Sequence, residues 1–144
     1  MTLHMHRVII ALGSNRLPAA HIQWASERMG SLLEDVRFSR KLWTEDIHGT
    51  GIYYMNRLAV ANTTLSMDDL QHELKAIEAA TGRSRQHVTI DLDLMLYDEQ
   101  RFHERDWSRS YIQQLLPGFL LPTDAEPTDA IAVDSKPANA AAID

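Results

Sequence analysis

Two aspartates in a short alternating segment are the residues whose spacing most clearly suggests chemistry. Asp91 and Asp93 alternate with Ile90, Leu92 and Leu94, which is the pattern of a strand with one apolar face. On such a strand both carboxylates point the same way, with Cα atoms roughly 6.5–7 Å apart. Carboxylates this close suit hard divalent cations, and two Mg²⁺ ions would fit between them and a polyphosphate. From spacing alone, the alternative is a pair of acids on the solvent side of a half-exposed sheet.

Two arginines precede this segment, in the sequence Gly82-Arg83-Ser84-Arg85. Guanidinium groups bind phosphate oxygens through their forked N–H groups, so this loop could hold phosphates while the acids hold metal ions. The alternative is a solvated loop without a ligand. Bases and acids in adjacent elements favour a phosphate site more than either feature does alone.

The scaffold that must position these residues is indicated by the hydrophobic periodicity. Strand-like segments alternate with segments whose apolar residues recur every three or four positions. The pattern predicts strands over Arg7–Leu12, Val36–Leu42, Tyr53–Thr63 and Val88–Leu96, helices following Pro18 and Ser66, and a short helix around Tyr111–Leu116. The order β-α-β-β-α-β predicts an α+β, ferredoxin-like fold, in which an antiparallel sheet carries both main helices on one face, with short C-terminal additions.

The distribution of charge indicates where this domain ends. Residues 123–144 hold five acids against one lysine, seven alanines and no aromatic residue, and therefore account for −4 of the net charge of −6. Such a stretch can bury little apolar surface. We predict one working domain over residues 5–122, followed by a disordered acidic tail over 123–144.

Composition excludes several classes of function. The absence of cysteine excludes disulfides, zinc–thiolate sites and thiol nucleophiles. No apolar run approaches the ~18–20 residues of a membrane span, and the N-terminus has no signal-like apolar block. The negative net charge argues against nucleic-acid binding. The sequence therefore predicts a soluble cytoplasmic protein with small-molecule ligands, either a monomer or a weak homo-oligomer.

The order of these motifs resembles the 6-hydroxymethyl-7,8-dihydropterin pyrophosphokinase family of folate biosynthesis. The resemblance covers about residues 6–99 and is most specific at the Asp-Leu-Asp strand. The matching segments are Ala11-Leu12-Gly13-Ser14-Asn15, Tyr54-Met55-Asn56, Ile77-Glu78 through Gly82-Arg83-Ser84-Arg85, and Ile90-Asp91-Leu92-Asp93-Leu94-Met95-Leu96. It implies a ferredoxin-like fold and transfer of the β,γ-pyrophosphoryl group of ATP to the pterin's hydroxymethyl group, with release of AMP.

Individual roles follow from the resemblance. It implies that Asp91 and Asp93 ligate two Mg²⁺ ions bridging the ATP phosphates, and that Arg83 and Arg85 lie on a mobile catalytic loop. The residues it assigns to the pterin are Thr44, Ile47, Tyr54, Asn56 and Tyr111. We also predict that ATP is contacted by Lys75, Glu78, His87 and Arg109.

The chain departs from the family pattern in two places. Five residues separate Arg85 from Asp91, whereas the family has a longer loop that contains a tryptophan and an arginine. The family's Val-Pro-His segment has no counterpart between Phe102 and Tyr111. Residues that could replace the missing positive charge are His87, His103, Arg105 and Arg109. Three hypotheses result: a short pyrophosphokinase, a catalytically weak paralogue that binds pterin or nucleotide as a regulatory or partner subunit, and a ferredoxin-like interaction module whose acids are solvated.

Overall fold

The computed structural model describes residues 4–46, 48–82 and 87–119, and contains one antiparallel sheet in this part of the chain. The strands are β1 His6–Ser14, β2 Glu34–Phe38, β3 Leu42–Glu45, β4 Tyr53–Thr63, β5 Asp91–Tyr97 and β6 Gln100–Arg101. The α-helices are α1 Pro18–Leu32, α2 Met67–Ala79 and α3 Ser110–Leu115. The sheet order is β2-β4-β1-β5-β6, and β3 also pairs with β4. The predicted α+β fold is confirmed. Ile47, Arg83, Arg85 and the predicted tail over 123–144 lie outside the described residues.

The main apolar core lies between the sheet and the two long helices. Alternate residues of β1, among them Ile10 and Leu12, point toward this layer and are almost fully buried. Ile22 and Met29 of α1 and Leu74 of α2 meet them there. Helix α2 begins at the predicted cap, where the Ser66 hydroxyl accepts a hydrogen bond from the N–H of Asp69 at 3.1 Å. Both helices therefore cover one face of the sheet, as the ferredoxin-like pattern requires.

A second apolar cluster lies on the opposite face. It is covered by a 3₁₀ turn over Glu104–Ser108 and by α3. Trp107, Ile112 and Leu115 pack there against strand residues that include Ile9 and Leu58. The C-terminal additions thus form a third layer over part of this face. None of the helices in the described part of the chain has the length and apolarity that a membrane crossing needs.

The predicted strand over Val36–Leu42 is two strands in the structure. The chain leaves the sheet at Ser39, whose hydroxyl accepts the N–H of Leu58 at 2.8 Å while its own N–H donates to the Leu58 carbonyl at 2.8 Å. The Ser39 carbonyl accepts from the Arg57 side chain instead of from the neighbouring strand. A side-chain hydroxyl thus replaces a backbone carbonyl in the ladder, and the pairing resumes on β4 only at Leu42.

The strand predicted to begin at Val88 begins at Asp91. Both backbone hydrogen-bonding groups of Val88 are used by Asn15, whose Oδ1 accepts the Val88 N–H at 2.9 Å and whose N–H donates to the Val88 carbonyl at 2.9 Å. The predicted Gly-Ser-Asn turn after β1 is therefore attached to the segment that leads into β5. This attachment fixes where the acidic strand enters the sheet.

Candidate functional site

A cavity of about 480 Å³ opens on the α3 side of the sheet, at the end of β1 and the start of β5. Strands β3 and β4 form one wall, and the start of α3 forms another. Predicted site residues that line the cavity are Thr44, Tyr54, Asn56, Asp91, Asp93, Arg109 and Tyr111. Residues up to 67 positions apart in the sequence, from Thr44 to Tyr111, therefore converge on one site.

The alternation of β5 turns both predicted metal ligands into this cavity. Leu92 and Leu94 pack into the helix-covered core, so Asp91 and Asp93 face the other side of the sheet. Opposite them on β1 lie small residues, since Gly13 pairs with Asp91 and Ala11 pairs with Asp93. The small side chains leave open space in front of both carboxylates.

Negative charge is crowded around Asp93. The pKa of Asp93 is raised to about 7, chiefly by burial. The charge of Asp91, a hydrogen bond between Asp91 and Asp93, and the charges of Glu78 and Asp106 contribute to the same shift. Every charge that contributes to this raised pKa comes from another acid. The histidine His103 lies beyond this group, with Nε2 3.9 Å from Asp93 Oδ1. The donor set is made of carboxylate oxygens, so it fits a hard divalent ion such as Mg²⁺.

Glu78 and Lys75 lie on the helix side of β5 and outside the main cavity. The Glu78 carboxylate is buried, and its Oε2 accepts the backbone N–H of Leu92 at 2.7 Å. Lys75 is exposed, with Nζ 3.9 Å from Glu78 Oε1. Lys75 lines a smaller cavity of about 90 Å³ beside the edge of β5, together with Asp93 and His103. Lys75 therefore shares a cavity with Asp93, where a ligand could contact both side chains. Glu78 instead holds β5 through its hydrogen bond with the Leu92 N–H.

Asn56 is fixed at the floor of the cavity by its neighbours. Its Nδ2 donates to Thr44 Oγ1 at 2.7 Å and to the Leu42 carbonyl at 3.2 Å. All hydrogen bonds that this side chain makes with the described residues use Nδ2, which leaves Oδ1 as an acceptor. The neighbour on β1 is Gly13, and a Cβ at that position would lie 3.6 Å from Oδ1. An amide held in this way presents an oriented acceptor to a ligand N–H group.

Tyr111 and Arg109 form the α3 wall. Burial raises the pKa of Tyr111 to about 12, with further contributions from the charges of Asp106 and Asp93, so its phenol stays neutral and able to donate. Arg109 lies on the preceding turn, with Nε 3.0 Å from Asp106 Oδ1. This ion pair fixes the guanidinium beside the cavity and leaves its terminal Nη groups without a partner among the described residues.

Some residues of the site were missed by the sequence analysis, and one predicted residue lies apart from it. Asp106 lines the cavity, and the only signal for it is its i, i+3 spacing to Arg109, which is typical of a helical ion pair. His48 also lines the cavity, from the loop between β3 and β4 that contains Gly49 and Gly51. His87, which was assigned to ATP, is exposed and lies outside this lining.

The cavity lining is strongly acidic in the part of the chain that the structure describes. Five acids face one arginine there: Glu45, Asp46, Asp91, Asp93 and Asp106 against Arg109. An uncomplexed polyphosphate would be repelled from such a surface, whereas a polyphosphate bound to divalent cations would not.

Comparison with protein families gives one match. The model of the family described as 7,8-dihydro-6-hydroxymethylpterin-pyrophosphokinase (HPPK) matches residues 9–120. The matched range runs from β1 past α3 and includes every residue that lines the cavity. No curated protein matches the chain significantly.

Proposed function

Because the chain belongs to the HPPK family, we propose that it transfers pyrophosphate from ATP to 6-hydroxymethyl-7,8-dihydropterin. The hydroxymethyl oxygen attacks the β-phosphorus of ATP and loses its proton. The bond between the β-phosphorus and the α,β-bridging oxygen breaks, and AMP leaves with that oxygen. The observation that carries the proposal is the convergence of Asp91 and Asp93 with Asn56 and Tyr111 on one cavity.

Asp91 and Asp93 are the residues proposed to hold two Mg²⁺ ions. When bound, these ions neutralise phosphate charge and orient the transferred group. Burial and the neighbouring acids together raise the pKa of Asp93 to about 7. This supports the proposed role, because a divalent cation would relieve the repulsion between the acids. The acidic lining supports it also, since the described residues of the cavity offer ATP little positive charge.

Asn56, Thr44, Tyr54 and Tyr111 are proposed to bind the pterin. A pterin is flat and apolar on its faces, and its edge carries N–H groups. The free Oδ1 of Asn56 suits such a group, and the aromatic side chains suit the faces. Thr44 acts through Asn56, whose amide it orients through their 2.7 Å hydrogen bond.

Basic side chains are proposed to bind the phosphate groups of ATP beside the metal ions. Arg109 reaches the cavity itself, and Lys75 and His103 reach Asp93 from the edge of β5. Arg83 and Arg85 remain the predicted catalytic-loop arginines, with Ile47 a predicted pterin contact. Fixed positive charge of this kind stabilises the charge that develops as AMP leaves.

The test is an assay for AMP after incubation with ATP, MgCl₂ and the hydroxymethyl-dihydropterin. We expect AMP and the pyrophosphorylated pterin in equal amounts, and neither when EDTA replaces MgCl₂. Asp93→Asn should lower the rate at least about 100-fold. Glu73→Gln, which changes an exposed acid on α2, should change it less than twofold.

Two other outcomes would change the conclusion. Binding of Mg-ATP and the pterin by calorimetry without formation of AMP would identify a catalytically weak paralogue with a regulatory or partner role. Failure to bind either ligand would contradict both the pyrophosphokinase and the paralogue hypotheses. The remaining hypothesis would then be the ferredoxin-like interaction module. The described cavity lining contains one arginine, Arg109. This scarcity of positive charge favours the paralogue as the second candidate.

A further inference from the structure

A cluster of metal-ligating side chains lies far from the cavity, at the other end of β1. His4 precedes the strand, His6 is its first residue, and Asp98 follows the end of β5. One ligand atom from each of the three lies within 4.8 Å of the other two. This group, His4, His6 and Asp98, is called the His–Asp cluster below.

Contacts with neighbouring residues already hold two members of the His–Asp cluster in place. Asp98 has a φ of 54°, and its N–H donates to the Arg7 carbonyl at 2.7 Å while its Oδ1 accepts the Arg7 N–H at 3.0 Å. His6 stacks on Tyr97 with ring centroids 4.6 Å apart, and the Tyr97 hydroxyl donates to the Leu65 carbonyl. These contacts fix the carboxylate and one imidazole before any ligand arrives.

We propose that the His–Asp cluster binds one divalent first-row transition-metal ion of the Zn²⁺ type. Two imidazoles and a carboxylate are a donor set suited to such ions, whereas Mg²⁺ prefers oxygen donors throughout. Adjacent ligands of an ion with bonds of about 2.1 Å lie roughly 3.0–3.4 Å apart. His6 Nδ1 and Asp98 Oδ2, now 2.7 Å apart, separate by a few tenths of an ångström as the ion replaces their shared proton. Exposed His4 moves inward to complete the set.

The position of this site gives it a structural role. Gly13 at the cavity lies seven residues along β1 from His6, which corresponds to roughly 23 Å. The ion therefore contacts none of the residues proposed to react. It connects the start of β1 to the turn between β5 and β6, and it stabilises the native chain because the ligands are together only when the sheet is formed.

Titration of the metal-stripped full chain, free of any affinity tag, with ZnCl₂ alone tests the proposal. We expect binding of one Zn²⁺ per chain that depends on the cluster, and a Tm that rises by roughly 5–10 °C at about 100 times Kd. His4→Ala and His6→Ala should each weaken this binding at least about 10-fold, and so should Asp98→Asn. His72→Ala, which removes an exposed histidine of α2, should leave it unchanged.

Two controls separate this site from the catalytic one. In an Asp91→Asn/Asp93→Asn protein the His4-dependent binding step should persist, because the His–Asp cluster is intact. His4→Ala should retain the Mg²⁺-dependent formation of AMP, and circular dichroism should show that it folds. The proposal is overturned if no saturable Zn²⁺ binding occurs, if His72→Ala weakens it as much as His4→Ala does, or if it disappears in the double aspartate variant.

Discussion

The two faces of the sheet are built from the same strands but are covered very differently. Helices α1 and α2, with 15 and 13 residues, cover one face from end to end, and the side chains between them form a continuous apolar core. The other face is covered by a 3₁₀ turn and the six-residue helix α3. Among the described residues, apolar packing on this face centres on Trp107, Ile112 and Leu115, and the acidic cavity lies beside it.

Strand β5 belongs to both faces of the sheet and shows how differently they are used. Leu92 and Leu94 point into the continuous core, while Asp91 and Asp93, their immediate neighbours, point into the cavity. Apolar contacts on the core face hold the strand in place, whereas the charged side chains lie on the cavity face. Incomplete cover allows a charged site to exist, because a full third layer would bury the carboxylates without a partner. Stability and ligand binding should therefore respond to different substitutions in the same strand.

The largest expected effect comes from the core side of β5. Leu94→Ala should lower the free energy of unfolding by about 2–5 kcal/mol, since it leaves a cavity in tightly packed surroundings. Leu96→Ala, at a half-buried position beside the second cluster, should cost less than half as much. Urea unfolding followed by circular dichroism measures both. Equal costs for the two variants would show that the faces contribute alike.

Asn56→Ala should act on the cavity side. Loss of the oriented amide should raise the Kd for the pterin by about 10- to 100-fold, corresponding to one hydrogen-bonded contact in a buried site. The Kd for Mg-ATP should change less than twofold. Asn62→Ala, at the other end of β4 where the side chain bonds Asp35, is the matched control. An equal loss of pterin affinity in both variants would contradict the assigned role.

The burial of Asp93 among other acids should make the stability of the protein depend on pH. Because the pKa of Asp93 is raised to about 7, native Asp93 keeps a proton that the unfolded chain loses near pH 3.9. The free energy of unfolding should therefore fall as pH rises between these values, by at most about 1.4 kcal/mol per pH unit, and level off above them. Urea unfolding at pH 5.5 and 7.5 measures this, with Asp93→Asn as the reference protein.

Addition of MgCl₂ should reverse that fall at pH 7.5, because the ion binds the ionised acids of the native state. The same addition should have little effect on Asp93→Asn. An identical pH dependence in the two proteins would show that Asp93 does not titrate as described.

The smallest effect is expected from the acidic tail. Deletion of residues 123–144 should change Tm by less than about 2 °C, because the stretch contains almost no large apolar side chain to bury on either face. Differential scanning calorimetry of the full and shortened chains measures it. A drop as large as that of Leu94→Ala would mean that the tail covers part of the sheet.

Strand β5 could be predicted from the sequence because its two faces differ in polarity. The period of two predicted that Asp91 and Asp93 share one face of the strand. The order of strands and helices predicted the fold class. The ends of strands could not be predicted in the same way. Val88 continues the apolar alternation, yet it is excluded from β5 because Asn15, 73 residues earlier, uses its backbone groups.

The third layer could be predicted only in part. The short helix predicted around Tyr111–Leu116 corresponds to α3, Ser110–Leu115, but its packing together with the 3₁₀ turn could not be predicted. Trp107, Ile112 and Leu115 lie on a 3₁₀ turn and a short helix, so they share no single period. Glu78 illustrates a similar limit at the site. Its position in the motif suggested a contact with ATP, but a carboxylate that accepts a buried N–H cannot be distinguished in sequence from one that faces solvent.

The bond between Glu78 and Leu92 has a consequence for association between chains. Within the described residues, β6 pairs only with Leu96 and Tyr97 of β5, so the outer edge of β5 from Asp91 to Leu94 has no strand beside it. Exposed edges of this kind invite pairing with strands of other molecules, which leads to aggregation. Here an incoming strand would have to displace the Glu78 carboxylate from the Leu92 N–H and approach a row of negative charge. The acids proposed to bind a metal–phosphate ligand should therefore also oppose pairing of this edge with strands of other molecules.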